Sequence, residues 1–140
     1  MDYFEKIVEK ASELNLAGVE LVSQVGTSVA RREYNGIGPE FFPAELRRKI
    51  TEFLGLFEPA ALIHDLRNFR SNGSRWTFRY ANDEFLANCR ACASDAYPWY
   101  SWKRYRAWIV AKLLYDFVSG PGGWKAWMDC YDKNQKGTKK

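Results

Sequence analysis

The chain has a single histidine, His64, and an aspartate follows it directly. Both sit in EPAALIHDLRNF, residues 58–69, where Ala60, Ala61, Leu62, Ile63 and Leu66 are the apolar positions of a buried helix. An imidazole changes charge near neutral pH, so His64 is the first candidate for a general base. Adjacent residues on a helix point about 100° apart. Asp65 therefore does not orient His64, and each needs a partner from another element. A buried carboxylate needs a cation, either arginine or a metal ion.

The partner of His64 is expected on the following helix. Asn72-Gly73 in RSNGSRW is a turn signal. Asn72 lies eight positions after His64 and eleven before Asp83 in YANDEFLANC. Two antiparallel helices with arms of that length bring His64 and Asp83 level as an imidazole–carboxylate dyad. For Asp65 the candidate partner is calcium. The segment YNGIG, residues 34–38, is glycine-rich and can turn its carbonyls inward. Carbonyl oxygens with a carboxylate are hard ligands that suit calcium, and a metal beside a base makes a hydrolytic site. Plainer roles compete. His64 can be a hydrogen-bonded core residue. Asp65 can pair with Arg67, Arg70 or Arg79, Asp83 with Arg79 one turn earlier, and NGIGP can be a simple connector.

The elements that must position these groups read as helices. Phe4, Ile7, Val8, Ala11 and Leu14 recur at helical spacing, and residues 2–30 form one or two helices. A loop over 32–43 follows, then a helix over 44–55 with Pro43 in its first turn and Gly55 at its end. Pro59 opens the helix of His64. The next helix runs from about Arg75 to Ala93 with Phe78, Phe85, Leu86, Cys89 and Cys92 inward. Pro98 breaks the chain before a helix over 101–118. A short aromatic segment, WKAWMDCY, then packs ahead of a disordered lysine tail over 133–140. Strand signals are almost absent. The expected class is all-α, a single domain over 1–132 with two central antiparallel helices and further helices at each end.

At 140 residues and 46% hydrophobic content the chain can build one core without disulfides or a structural metal. Its three cysteines exclude a complete disulfide framework, and Cys89 and Cys92 read as half-buried thiols on one helix face. No stretch approaches the ~18 apolar residues of a membrane span. The acidic, amphipathic beginning MDYFEKIVEKASEL is not a signal peptide, so synthesis in the cytoplasm is expected. The net charge of +4 comes with basic clusters, including Arg31-Arg32, Arg47-Arg48-Lys49 and Lys103, Arg104 and Arg106. These suit an anionic partner, nucleic acid or an acidic lipid surface. Trp108 reads as core. Trp99, Trp102, Trp124 and Trp127 lie among prolines, glycines and lysines, which suits a membrane interface or base stacking.

The order Tyr34-Asn35-Gly36-Ile37-Gly38, then His64-Asp65 on a helix, then Asp83 on the next, resembles the phospholipase A2 superfamily. The likeness spans residues 34–92 and is strongest to the small disulfide-poor members found in viruses and bacteria. It departs at Ile63, where secreted members have cysteine, at Asn68, where they have tyrosine, and in the longer gap between Gly38 and Asp65. The resemblance implies a calcium-dependent hydrolase of the sn-2 ester of glycerophospholipids, working at a phospholipid membrane surface. In that reading the carbonyls of Tyr34, Gly36 and Gly38 and the carboxylate of Asp65 hold Ca2+. His64 deprotonates a water, Asp83 fixes the imidazole, and the Gly36 N–H with the calcium ion stabilises the oxyanion. Such a protein would be carried in a virus or phage particle, released by lysis or exported by another route. The alternative is a non-catalytic, basic, aromatic-rich helical module that binds nucleic acid or a protein partner.

Overall fold

The computed structural model describes residues 1–36, 43–50 and 53–138, and these are helical with no strand among them. The helices are α1 (Tyr3–Glu13), α2 (Leu21–Val25), α3 (Thr27–Glu33), α4 (Ala44–Ile50), α5 (Leu54–Phe69), α6 (Arg75–Ala96), α7 (Trp102–Val118) and α8 (Pro121–Thr138). Among the described residues no helix is long and apolar enough to cross a membrane.

The α5–α6 hairpin is the centre of the fold. Gly73 takes φ +75° in the connecting turn, where a side chain would be strained. Asn72 Oδ1 accepts from the Ser74 N–H at 3.0 Å. Ser74 caps α6 by accepting from the Trp76 N–H at 3.1 Å. The two helices return antiparallel and make the most extensive packing in the chain, followed by α6 on α7. Phe57, Leu62, Ile63 and Leu66 of α5 meet Phe85, Cys89 and Cys92 of α6, with Phe4, Ile7 and Ala11 of α1 on one side and Ala107, Ala111 and Leu114 of α7 on the other. Burial of both thiols raises their pKa, which makes them unreactive core groups.

Three buried polar residues of α6 look out of place in this core, and each meets a partner across it. Asn88 binds the Ala17 backbone through both ends of its amide, at 3.0 and 2.9 Å. Glu84 takes the fork of Arg67 in two 2.9 Å bonds. Asn82 reaches His64.

Four expectations need correction. The stretch 2–30, expected to be one or two helices, is divided among three, α1, α2 and α3. The helix of His64 begins at Leu54, so Pro59 lies inside it and Gly55 lies in its first turn. The segment 133–138, expected to be a disordered tail, continues α8. Asn134 holds it down by donating to the Phe69 and Ser71 carbonyls at the end of α5, at 2.9 and 3.2 Å. Trp127 is not an interfacial ring. It is 2% exposed and packs with Phe78. Gly123 lets α8 start hard against the end of α7, since a Cβ there would overlap the Val118 carbonyl.

Candidate active site

His64 faces α6, and its Nε2 lies 2.8 Å from Asn82 Oδ1. The imidazole also packs against the Phe85 ring, centroids 4.9 Å apart. A carbonyl-type oxygen at Nε2 selects the tautomer with the proton on Nε2 and leaves Nδ1 as the basic nitrogen. Burial holds the His64 pKa below its ordinary value, and the Asn82 contact offsets this only in part. The imidazole is therefore neutral at neutral pH, the form a base requires.

Asp83 is not the partner of His64. It lies on the exposed side of α6 and accepts from the Tyr115 hydroxyl at 2.7 Å. The one-residue difference is a rotation of about 100°. Asn82 shares the inward stripe of Phe78, Phe85 and Cys89, at spacings of four, three and seven. That periodicity was the available signal for Asn82. The expected pairing of Asp83 with Arg79 is absent as well.

Asp65 turns the other way, toward the glycine segment. Its Oδ2 accepts from the N–H groups of Asn35 and Gly36 at 2.9 and 3.0 Å. The loop thus meets Asp65 through its N–H groups, and the Gly36 N–H assigned to an oxyanion is already engaged. Gly36 takes φ +71°, and a Cβ there would come within 2.9 Å of Glu58 Oε2. The Tyr34 hydroxyl donates to the same Glu58 oxygen. Glu58 was not expected in the site, although it lies seven residues before Asp65 on one helix face. Gly38 lies outside the described residues.

The expected competitors for Asp65 are placed elsewhere. Arg67 binds Glu84, and Arg70 donates to Gln24 at 3.0 Å. With no such cation beside it, burial raises the Asp65 pKa to about 7, against the lowering effect of the two N–H groups. The sign of the linkage follows. The folded pKa exceeds the unfolded value of 3.8, so the native state holds its proton longer. Stability from this group is full below pH ~4, falls as pH rises to about 7 and is flat above. Asp65→Asn, which keeps an acceptor and removes the charge, is expected to match wild type at about pH 3, below both pKa values. At pH 8 it should melt several degrees higher, since a shift of this size corresponds to roughly 4 kcal/mol. Thermal melts at the two pH values check this, and an equal difference at both would refute it.

His64, Asp65, Asn35 and Gly36 line one cavity of about 260 Å³. Its other walls are apolar, from Phe78, Phe85, Leu114, Phe117 and Val118, with Gly122 and Gly123 of α8. Among the described residues no group of three or more histidines, cysteines or carboxylates could hold a metal ion. Asp65 and Glu58 both lie beside the loop, but the loop turns N–H groups and not carbonyls toward Asp65, so a calcium ion there would require the loop to turn over. The arrangement can hold a neutral base against an apolar chain, with an uncompensated carboxylate next to it. No protein-family model, no curated protein and no solved structure matches this chain.

Proposed function

We propose that the protein is a phospholipase A2-like acyl hydrolase in which His64 activates water against an ester whose acyl chain lies in the apolar cavity. One observation carries the reading. The only imidazole in the chain is fixed at one nitrogen by a buried amide and lines a cavity walled by Phe78, Phe85, Leu114 and Phe117. In this reading Nδ1 takes the proton of the attacking water and returns it to the leaving alkoxide. Asn82 holds the ring and its tautomer. Asp65 would hold calcium with backbone oxygens of Tyr34 and Gly36 once the loop exchanged its N–H bonds to Asp65 for those carbonyls, and the ion would supply Lewis-acid polarisation of the ester carbonyl. For the Gly36 N–H to meet a developing oxyanion, it must exchange its bond to Asp65 Oδ2.

An amide in place of a carboxylate orients the imidazole but does not stabilise the imidazolium. Asn82→Asp is therefore expected to raise kcat by tenfold or more without changing the site of cleavage. The assay is release of labelled fatty acid from phospholipid carrying the label at sn-2 only. Label release by the wild type that rises in the Asn82→Asp variant supports the reading. An unchanged or lower rate in that variant contradicts the role of Asn82.

One observation favours the second reading, a binding module without catalysis. Trp99, Tyr100 and Trp102 are 72%, 71% and 84% exposed at the α6–α7 turn. Leu114 of the cavity wall is twelve residues along α7 from Trp102, about 18 Å away by helical rise. These rings are thus remote from the cavity. Binding of nucleic acid through them and Lys103 would weaken steeply with salt.

A further inference from the structure

We propose that the corner between α6 and α7 docks the protein on an anionic phospholipid surface, with Trp99, Tyr100 and Trp102 seated among the head groups and the outer face of α7 lying along them. This surface is separate from the cavity of His64, and its role does not rest on the hydrolase reading.

The exposed large apolar side chains are not scattered over the molecule. Among the described residues five of the nine, Trp99, Tyr100, Trp102, Tyr105 and Ile109, fall at this corner and along the helix that leaves it. Trp102, Tyr105 and Ile109 stand at i, i+3 and i+7, so they form one stripe down the outer face of α7. The inner face of the same helix is Ala107, Val110, Ala111 and Leu114, all buried. A helix with apolar residues on both faces is ordinarily covered on both, yet the outer face of α7 is open. Clustered exposure of this kind marks an interaction surface.

The corner is built to hold its rings outward. The Ser101 N–H donates to the Pro98 carbonyl at 3.0 Å, and the Ser101 hydroxyl caps α7 by accepting from the Lys103 N–H at 3.2 Å. The Tyr105 hydroxyl donates to the Trp99 carbonyl at 2.6 Å. The rings of Trp99 and Tyr100 meet edge to face, centroids 5.7 Å apart. Rings displayed on a fixed turn lose little freedom on docking.

Charge selects the partner. From Arg90 to Arg106 the sequence carries four basic residues and one acid, Asp95. Lys10 neutralises that acid at 3.0 Å. Lys103 and Arg106 are exposed beside the stripe. The Arg90 and Arg104 guanidinia lie 5.8 and 5.4 Å from the centroid of the Trp108 ring. Tryptophan and tyrosine flanked by lysine and arginine are the side chains that settle at the head-group level of an anionic membrane. Nucleic acid fits this surface less well. The edge-to-face pair does not offer two parallel faces to successive bases, and Ile109 has no face on which a base can stack.

Vesicles of ether-linked phospholipid carry no ester, so they read docking without hydrolysis. Wild type is expected to sediment with vesicles of mixed phosphatidylcholine and phosphatidylglycerol ethers, and to bind them roughly tenfold or more tighter than phosphatidylcholine ether alone. Trp102→Ala is expected to weaken that binding about tenfold. Its Tm should not change, because the ring lies outside the core. Trp76→Ala is the control. That ring is 76% exposed at the far end of α6, about 30 Å away by helical rise, and its loss should leave binding unaltered. No binding to the anionic vesicles, equal binding to both kinds, no effect of Trp102→Ala, or an equal loss in Trp76→Ala each overturns the proposal. A single-stranded oligonucleotide is titrated at the same ionic strength. Oligonucleotide binding that Trp102→Ala abolishes, without vesicle binding, also overturns it and gives the corner to base stacking. Failure here leaves hydrolysis by His64 standing, and absence of hydrolysis leaves the docking result intact.

Discussion

Replacing His64 with glutamine is expected to lower acyl-ester hydrolysis by about 10³-fold while the protein remains folded. A positioned general base contributes roughly 10²–10⁴ to a rate, and nothing else in the cavity can take its place. The flanking carboxylate Asp65 is bonded to the Asn35 and Gly36 N–H groups, and Asp83 lies outside with Tyr115. Glutamine can still donate to Asn82 Oδ1 and contact Phe85, so packing around α5 and α6 is kept. The imidazole it replaces is neutral, so no buried charge is stranded. kcat on a monomeric phospholipid and the circular-dichroism melt, measured on the same preparation, separate the two effects. A variant within tenfold of wild type would remove His64 from the chemistry.

The largest loss of stability is expected at Glu84, away from the cavity. Its side chain is 4% exposed and receives Arg67 in a two-bond fork, with Arg67 itself 26% exposed. Removing one member of a buried pair leaves the other charge unmatched, which costs about 3–5 kcal/mol. Glu84→Ala should therefore lower Tm by roughly 6–15 °C. Gly18, whose missing Cβ makes room for the Glu84 carboxylate and Ile63, belongs to the same arrangement. The exposed pairs Lys112–Asp116 and Lys125–Asp129 should matter far less. Thermal melts of Glu84→Ala and Asp116→Ala side by side check the ranking, and equal shifts would contradict it.

The hairpin at the centre of the fold was legible because its signals are local. Asn72-Gly73 marks the turn, and apolar spacing marks both helices. The all-α class and the burial of Cys89 and Cys92 came from the same periodicity. What failed depended on distant partners. Pro59 is a helix-opening residue by local rule, yet packing of Phe57 and Ala60 extends α5 back to Leu54. The lysine-rich end looks disordered until Asn134 is seen to bond the end of α5. The dyad was misplaced by one residue because counting arms about Asn72-Gly73 fixes the level of a side chain along α6 but not the direction in which it points. Phe85 is buried and Leu86 only partly so, which puts Asn82 and not Asp83 on the core face.

The most direct measurement is fatty-acid release from mixed phospholipid vesicles by the wild-type protein, with calcium and with a chelator, beside the His64→Gln variant. Release that requires calcium and is lost in the variant is the expected result, and it would tie the imidazole, Asp65 and the apolar cavity to one reaction. No release from wild type under either condition, or equal release from the variant, would contradict catalysis at His64.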